Sequence, residues 1–141
     1  MLIIDEFRNL KLTLIDLNMK KEVFLEWLVS LRSGSYLQGK NWLKQQLMKD
    51  HVEHCCLGVL GEVLEKRGKI QWSLEKDLYQ IETLLGGTSK TSIPTIIGPS
   101  TTLQNLLQEY NDHGNISFSE IAQALEDYFL PMYNDEPQRD T

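Results

Sequence analysis

The segment His51–Cys56, H-V-E-H-C-C, concentrates the side chains with the most evident capacity for chemistry. Imidazole and thiolate are the ligands that zinc prefers in proteins. If a helix begins near His54, however, Cys55 and Cys56 point about 100° apart, which disfavours a shared metal ion. Buried cysteines that act as small hydrophobic residues are the alternative that we favour. A thiolate nucleophile at Cys55 stays open, because a helix N-terminus lowers a thiol pKa.

The second group of reactive side chains lies on a glycine-punctuated loop, L-R-S-G-S-Y-L-Q-G-K-N-W. Arg32 and Lys40 are suited to phosphate, and an aromatic ring of this loop is suited to stacking on a base. A helix start near His54 would add backbone amides for an anion. The alternative is a surface loop whose aromatic residues cover the core. We predict a ligand-binding site composed of Arg32, Ser33, Tyr36, Gln38, Lys40, Trp42, His54 and Cys55.

Residues 109–120, E-Y-N-D-H-G-N-I-S-F-S-E, resemble a calcium-binding loop in the positions of Gly114 and Glu120. The ligand positions fit less well, because His113 stands where a hard cation needs oxygen. Ser117 and Glu120 also form the S-x-x-E capping box of a following helix, and Gly114 fits a left-handed turn position. We therefore predict a turn between two helices and no metal or cofactor.

Helices and short strands must position these groups. Hydrophobic spacing predicts helices, while short apolar runs bounded by turns predict strands. The predicted helices cover 2–17, 20–32, 54–67, 101–109 and 118–128. A short strand or hairpin is predicted near 42–47, and short strands or irregular packing segments at 69–72 and 78–85. The third helix has Gly58 and Gly61 in its interior, which indicates close approach of another group. A capping box of Thr101 and Gln104 is expected to start the fourth helix.

This pattern predicts an α+β fold with a single mainly helical domain and a few short strands. The expected organisation is an apolar, oligomerising segment at 1–18, a globular domain at 19–130 and a flexible acidic tail at 131–141. No apolar run approaches the ~20 residues of a membrane helix. The chain starts M-L-I-I-D-E, without the basic and apolar regions of a secretory signal. We expect a cytoplasmic protein with no membrane partner.

Charge is distributed unevenly along the 141 residues. The chain carries a net charge of −6, with 11 Lys and Arg against 9 Asp and Glu in residues 1–70 and 3 against 11 in residues 71–141. General nucleic-acid binding needs a concentrated basic face, which this composition argues against. The acidic second half fits either a solvated surface or a contact with a basic protein.

Three sequence motifs are similar to those of a widespread group of small uncharacterised phage and bacterial proteins. The motifs are L-R-S-G-S-Y-L-Q, C-C-L-G-V-L and Y-N-D-H-G-N-I-S-F-S-E-I-A, and the resemblance covers Trp27 to Phe129. This sequence departs from the group at Gly61, where the group often has Cys, and at Tyr110, where it often has Leu. The resemblance places the following residues on motif positions: Arg32, Ser33, Gly34, Tyr36, Gln38, Cys55, Cys56, Gly58, Asn111, Asp112 and Gly114.

The sequence leaves three functional hypotheses open. The first is a phage-type binding protein, expected to be a homo-oligomer, that sequesters a nucleotide-derived immune signal without catalysis in the host cytoplasm. The second is an acidic inhibitor or adaptor of a host protein. The third is a small hydrolase that uses Cys55 or His54, although no acid/base pair has a recognisable spacing.

Overall fold

Six helices and six strands make up the computed structural model, which describes residues 3–83 and 86–135. The elements in chain order are α1 Ile3–Asn9, α2 Leu14–Leu17, α3 Lys21–Arg32, β1 Leu37–Gln38, β2 Lys44–Met48, β3 His51–His54, α4 Cys56–Lys66, β4 Gln71–Glu75, β5 Leu78–Glu82, β6 Thr88–Ser89, α5 Thr101–His113 and α6 Phe118–Asp135. The expectation of an α+β fold is confirmed. No described helix combines the length and apolar character that crossing a bilayer requires.

The N-terminal segment is helical, as its spacing predicts, but it is broken into two pieces. Lys11 has a φ of 54°, which ends α1, and Thr13 caps α2 through a capping box with Asp16. Phe7 and Leu17 are completely buried in the core that the later helices share. The segment therefore packs as part of the domain, and residue 18 does not separate two bodies. Its predicted role in oligomerisation stays a prediction.

The sheet lies at one side of the helices. Its strand order is β1-β3-β2-β5-β4, and β6 pairs with β5. The β1–β3 pair is parallel and the other pairs are antiparallel. A two-residue turn at Lys49–Asp50 joins β2 to β3, so the segment predicted as a strand or hairpin is a hairpin.

Helix α4 packs at the centre of the fold, and it begins at Cys56, two residues later than predicted, because His51–His54 form a strand. Its two interior glycines have a steric reason. A Cβ at Gly58 would lie 1.7 Å from the Leu43 carbonyl oxygen, and a Cβ at Gly61 would lie 2.6 Å from the Trp72 ring. The close approach that these glycines predicted is confirmed.

The start of α5 differs from the prediction. Ser100 is the N-cap, and its hydroxyl accepts a hydrogen bond from the Leu103 N–H. Gln104 instead binds backbone: its side chain donates to the carbonyls of Ile93 and Pro99 and accepts from the Ile93 N–H. The predicted box of Thr101 and Gln104 was wrong, because a buried amide side chain is needed to hold the preceding loop.

Helix α6 continues through Pro131 to Asp135, so the predicted tail boundary at residue 131 falls inside a helix. Tyr133 lies beyond the proline and its hydroxyl donates to the Met19 carbonyl at 2.5 Å. This tertiary contact holds the last turns although proline removes one helical hydrogen bond. The rest of the predicted tail, 136–141, lies outside the described residues.

Candidate functional site

The structure gives Arg32 and Ser33 partners at the end of α3. The Arg32 guanidinium contacts Glu126 Oε1 at 2.9 Å and Gln123 Oε1 at 3.1 Å, both on α6. The Ser33 hydroxyl donates to the Ser30 carbonyl at 2.7 Å. Arg32 therefore connects α3 to α6, whereas the Ser33 hydroxyl bonds within the end of α3.

Asn111 belongs to the third sequence motif and makes hydrogen bonds to residues of the first and second. Its Oδ1 accepts from Gln38 Nε2 at 3.0 Å and from the Cys56 N–H at 3.2 Å. Its Nδ2 donates to the Gly39 carbonyl at 2.7 Å and to Asp112 Oδ1 at 2.9 Å. We call Asn111 and these four partners the Asn111 junction. We predicted that backbone amides at the start of α4 bind an anion. The first of them, the Cys56 N–H, is instead hydrogen-bonded to Asn111 Oδ1.

Gln38 has a second set of contacts that fixes the start of α6. Its Nε2 also donates to the Ile116 carbonyl at 2.8 Å, and its Oε1 accepts from the Phe118 N–H at 3.0 Å. We predicted that the Gln38 side chain contacts a ligand. In the structure both its amide nitrogen and its amide oxygen are hydrogen-bonded to protein atoms instead.

The loop that resembles a calcium site is a helix–helix turn. Asp112 Oδ1 accepts from the Asn41 N–H at 3.0 Å, and the predicted box of Ser117 and Glu120 is present. The left-handed residue is Asn115, with φ of 52°, whereas Gly114 has φ of −91°. That assignment of Gly114 was wrong, because asparagine also tolerates the left-handed region.

Both cysteines are buried, and they are free thiols. Burial, with a smaller contribution from the Asp112 charge, raises the pKa of Cys55 to about 11. Burial also raises the pKa of Cys56. Both thiols are therefore protonated at neutral pH, and a protonated thiol is a poor nucleophile.

Lys40 and Trp42 lie on the loop between β1 and β2. Lys40 is exposed at a cleft of about 310 Å³ that Gln38, Asn115 and Ser117 also line. Trp42 is half-buried. Lys40 therefore lies at a surface cleft. Gln38 lines the same cleft, but its amide group is already hydrogen-bonded to protein atoms.

Tyr36 and His54 are brought together, as the predicted site requires. Their rings meet edge to face, with centroids 5.0 Å apart and an interplanar angle of 73°. His54 is 5% exposed, and among the described residues neither ring nitrogen has a hydrogen bond of good geometry. A buried imidazole without a well-formed partner is uncommon, because its desolvation is not compensated.

Two charged residues that the sequence analysis missed complete this group. Lys44 is the cross-strand neighbour of His54, and Glu62 extends from α4. Lys44 Nζ lies 3.4 Å from both Glu62 oxygens, and His54 Nε2 lies 3.4 Å from Glu62 Oε2. The side chains of Lys44 and Glu62 are each 15% exposed. These contacts are longer than the usual 2.7–2.9 Å of a tight charge-assisted hydrogen bond, so the pairing is loose.

Aromatic rings frame the charges. Lys44 Nζ lies 4.3 Å from the centroid of the Tyr79 ring and 5.1 Å from that of Trp72. Tyr79 Oη donates to Gln46 Oε1 at 3.4 Å. Gly61 makes room for Trp72 under α4. We call Tyr36, Lys44, His54, Glu62, Trp72 and Tyr79 the Lys44 cluster.

The electrostatics of the Lys44 cluster favour a charged carboxylate. Burial alone would raise the pKa of Glu62, but contacts with His54 and Lys44, and a smaller one with Trp72, outweigh it and lower the pKa. Glu62 is therefore ionised at neutral pH and neutralises Lys44. The cluster offers a carboxylate acceptor, an ammonium donor, an imidazole and aromatic surfaces within one small region.

A sequence signal for part of this site exists. Glu62 is the one charged residue in the apolar run C-C-L-G-V-L-G-E-V-L, and a charge inside a buried helix indicates a partner. Lys44 has no such signal, because its contact with His54 depends on the register of a hairpin.

Comparison with known proteins gives one result. The family model described as "Domain of unknown function (DUF8296)" matches residues 19–97, and this range contains the whole Lys44 cluster but not Asn111. No curated protein and no solved structure matches the chain. Because the matched range is more than half of the sequence, the chain belongs to this family, DUF8296.

Proposed function

We propose that the protein binds a small anionic molecule of the nucleotide class, without transforming it, at the Lys44 cluster. The observation that carries this proposal is the burial of Lys44, His54 and Glu62 within a frame of aromatic rings. Burying ionisable groups is costly, and a carboxylate with a perturbed pKa, such as Glu62, is typical of functional sites.

The chemistry of the cluster fits this class of ligand. Tyr36, Trp72 and Tyr79 provide aromatic surface for stacking on a base. Lys44 can pair with a phosphate, and the Glu62 carboxylate can accept from amino or imino groups. The loose 3.4 Å contacts between Lys44 and Glu62 leave both with capacity for a ligand. Arg32, by contrast, would have to leave Glu126 before it could hold a phosphate.

Binding without catalysis is supported by the state of the nucleophiles. Cys55 is a protonated thiol at neutral pH because burial raises its pKa. Within the described ranges, neither His54 nor Glu62 hydrogen-bonds to a Ser, Thr or Cys side chain. A general base without a nucleophile in reach does not favour the hydrolase alternative.

The biological role is a finer part of the same proposal. The similarity to small phage and bacterial proteins supports a protein that sequesters a nucleotide-derived immune signal in the host cytoplasm. Lys40, at its cleft beside Asn115, would then provide a second cation for a longer ligand.

A thermal-shift experiment tests the binding proposal. The Tm of the purified protein is measured in the presence of nucleotides, cyclic nucleotides and ADP-ribose derivatives. The molecular mass of the recovered ligand is then determined by mass spectrometry. A ligand at 100 times its Kd adds about 2.7 kcal/mol of stability, or on the order of 10 °C in Tm. A shift with unchanged ligand mass supports the proposal, whereas a changed mass identifies an enzyme.

Matched lysine variants locate the site. Lys44→Met should abolish the shift relative to its own ligand-free Tm, while Lys49→Met, an exposed lysine on the same hairpin, should retain it. No shift with any compound, or an equal shift in Lys44→Met, would refute binding at the Lys44 cluster.

A second candidate function rests on the acidic half of the chain. Glu109, Glu120 and Asp127 are exposed on α5 and α6, and residues 71–141 carry a charge of −8. Such a surface fits an inhibitor or adaptor that covers a basic host protein. Capture of a partner that is released by high salt supports this function, and a capture unaffected by salt contradicts the electrostatic mechanism.

A further inference from the structure

We infer that the base bound at the Lys44 cluster is guanine, which the Glu62 carboxylate recognises through the N1–H and the 2-amino group. This inference rests on the proposed function and adds to it the identity of the base. Two observations carry it: the place of Glu62 beside a row of side chains that α4 leaves uncovered, and the hydrogen-bonding groups around Glu62.

Four side chains form a row across the face of the sheet on which α4 packs. Lys44 pairs with His54 across β2 and β3, and Leu74 pairs with Tyr79 across β4 and β5. Continuing the β2–β5 pairing by one residue brings Lys44 opposite Tyr79. Lys44 Nζ lies 4.3 Å from the centroid of the Tyr79 ring, as side chains on one face require. We call His54, Lys44, Tyr79 and Leu74 the open row.

Helix α4 covers the neighbouring row instead. A Cβ at Gly61 would lie 2.6 Å from the Trp72 ring and 3.7 Å from the Ile81 side chain, and these two residues are partners across β4 and β5. Side chains two residues further along each strand share this face of the sheet. There Tyr79 is half-buried and Leu74 is 49% exposed. The open row therefore provides a flat, partly apolar floor beside α4.

Glu62 extends from α4 at the margin of this floor. Its Oε2 lies 3.4 Å from His54 Nε2, and both its oxygens lie 3.4 Å from Lys44 Nζ. Glu62 is ionised at neutral pH, because contacts with His54 and Lys44 outweigh the effect of burial on its pKa. An ionised carboxylate only accepts hydrogen bonds, and it does so through two adjacent oxygens. A base that lies flat on the floor therefore turns one edge toward two neighbouring acceptors.

The edge of guanine matches two neighbouring acceptors. Its N1–H and its 2-amino group are adjacent donors, and proteins recognise unpaired bases through this edge. O6 comes next along the edge, and one of the three N–H donors of Lys44 is enough to meet it. To do so, the ammonium group leaves the Tyr79 ring, which then stacks on the base.

Other bases turn an acceptor toward the carboxylate. The corresponding edge of adenine has an unprotonated N1, that of cytosine has an unprotonated N3, and uracil has a carbonyl on each side of its one donor. Each of these edges places a lone pair against the negative charge of Glu62, which disfavours binding.

The groups around Glu62 are unusual for a cluster that serves the fold alone. Among the described residues, both ring nitrogens of His54 and Nε1 of Trp72 are buried without a hydrogen bond of good geometry. Buried polar groups in proteins nearly always have such partners. Three unsatisfied polar atoms beside a buried ion pair therefore support a role in ligand recognition.

Isothermal titration calorimetry of the full chain at pH 7 tests the identity of the base. Guanosine, inosine and adenosine 5′-monophosphates share ribose and phosphate and differ in the edge of the base. Inosine monophosphate lacks the 2-amino group and should bind about 10-fold more weakly than guanosine monophosphate, because a hydrogen bond to a charged group is lost. Adenosine monophosphate loses both donors and should bind at least about 100-fold more weakly.

Matched carboxylate variants connect this preference to Glu62. Glu62→Gln should weaken the binding of guanosine monophosphate about 10-fold and remove its preference over adenosine monophosphate, because an amide presents one acceptor and one donor. Glu65→Gln, which changes an exposed carboxylate of the same helix, should leave the preference unchanged.

The outcomes separate this inference from the proposed function. Adenosine monophosphate that binds as tightly as guanosine monophosphate, or a preference that survives in Glu62→Gln, would overturn the guanine inference and leave nucleotide binding intact. Absence of binding by every nucleotide would overturn both. The comparison of the three ligands uses the unsubstituted protein, so it decides the inference even if Glu62→Gln fails to fold.

Discussion

Replacing Asn111 with alanine should destabilise the protein severely without touching the Lys44 cluster. Asn111 is 2% exposed and makes four hydrogen bonds in the Asn111 junction. Two of its partners keep other bonds when it is removed: Gln38 retains the Ile116 carbonyl, and Asp112 retains the Asn41 N–H.

The other two partners lose their bonds in a buried site. The Cys56 N–H and the Gly39 carbonyl would each be left unsatisfied, at about 1–3 kcal/mol per group. With the small cavity that the missing amide leaves, the free energy of unfolding should fall by about 3–5 kcal/mol. For a chain of this size the corresponding fall in Tm is about 10 °C or more.

Urea unfolding at pH 7 measures this change. Asn105→Ala, on the exposed side of the same helix, is the matched control and should stay within about 0.5 kcal/mol of the unsubstituted protein. A loss below about 1 kcal/mol for Asn111→Ala would refute the reasoning, because the two orphaned groups would then have found water or other partners.

Three further outcomes follow from the packing and the pKa shifts. Gly58→Ala should prevent stable folding, at a cost of at least about 4 kcal/mol, because its Cβ would meet the Leu43 carbonyl oxygen; a soluble variant with a native circular dichroism spectrum and Tm would contradict this. Glu62→Gln should cost about 1–3 kcal/mol at pH 7 by removing the charge opposite Lys44. Since the folded pKa of Glu62 is lowered, its contribution is present above the unfolded pKa and is lost as the pH falls through the folded pKa. Urea unfolding from pH 7 to about pH 3 should therefore show the two proteins approaching the same free energy of unfolding as the pH falls. A difference in free energy of unfolding that does not change with pH would show that the charge of Glu62 is not its source. Cys55 should resist Ellman's reagent at neutral pH and react only in guanidinium, because burial raises its pKa to about 11; rapid labelling of the native protein would contradict its burial.

Local patterns in the sequence predict the long elements of this fold well. Helix α3 follows from the spacing of Phe24, Trp27, Leu28 and Leu31, all of which are buried. The close approach at Gly58 and Gly61 also follows from a local signal. The β4–β5 hairpin was not predicted, because its two strands were left open as irregular segments. The end of α6 was missed, because the contact from Tyr133 to Met19 overrides the local effect of Pro131.

The candidate site was less accessible from sequence, because it depends on pairing across long separations. Tyr36 and His54 were identified by their chemistry and do meet. Lys44 was passed over because only the register of β2 against β3 places it beside His54. Gln38 has side-chain chemistry suited to a ligand, but Asn111 and the start of α6 occupy it, and both lie more than 70 residues away.

The Asn111 junction also bears on where an autonomous folding unit ends. The family match stops at residue 97, whereas the amide that satisfies Gly39 and Cys56 comes from α5. A fragment of residues 19–97 would retain the strands and α4 but expose the apolar faces that α5 and α6 cover. The segment that matches the family is thus shorter than the segment that folds as a unit. During synthesis on the ribosome, we expect the chain to reach its native state only after α5 and α6 have emerged.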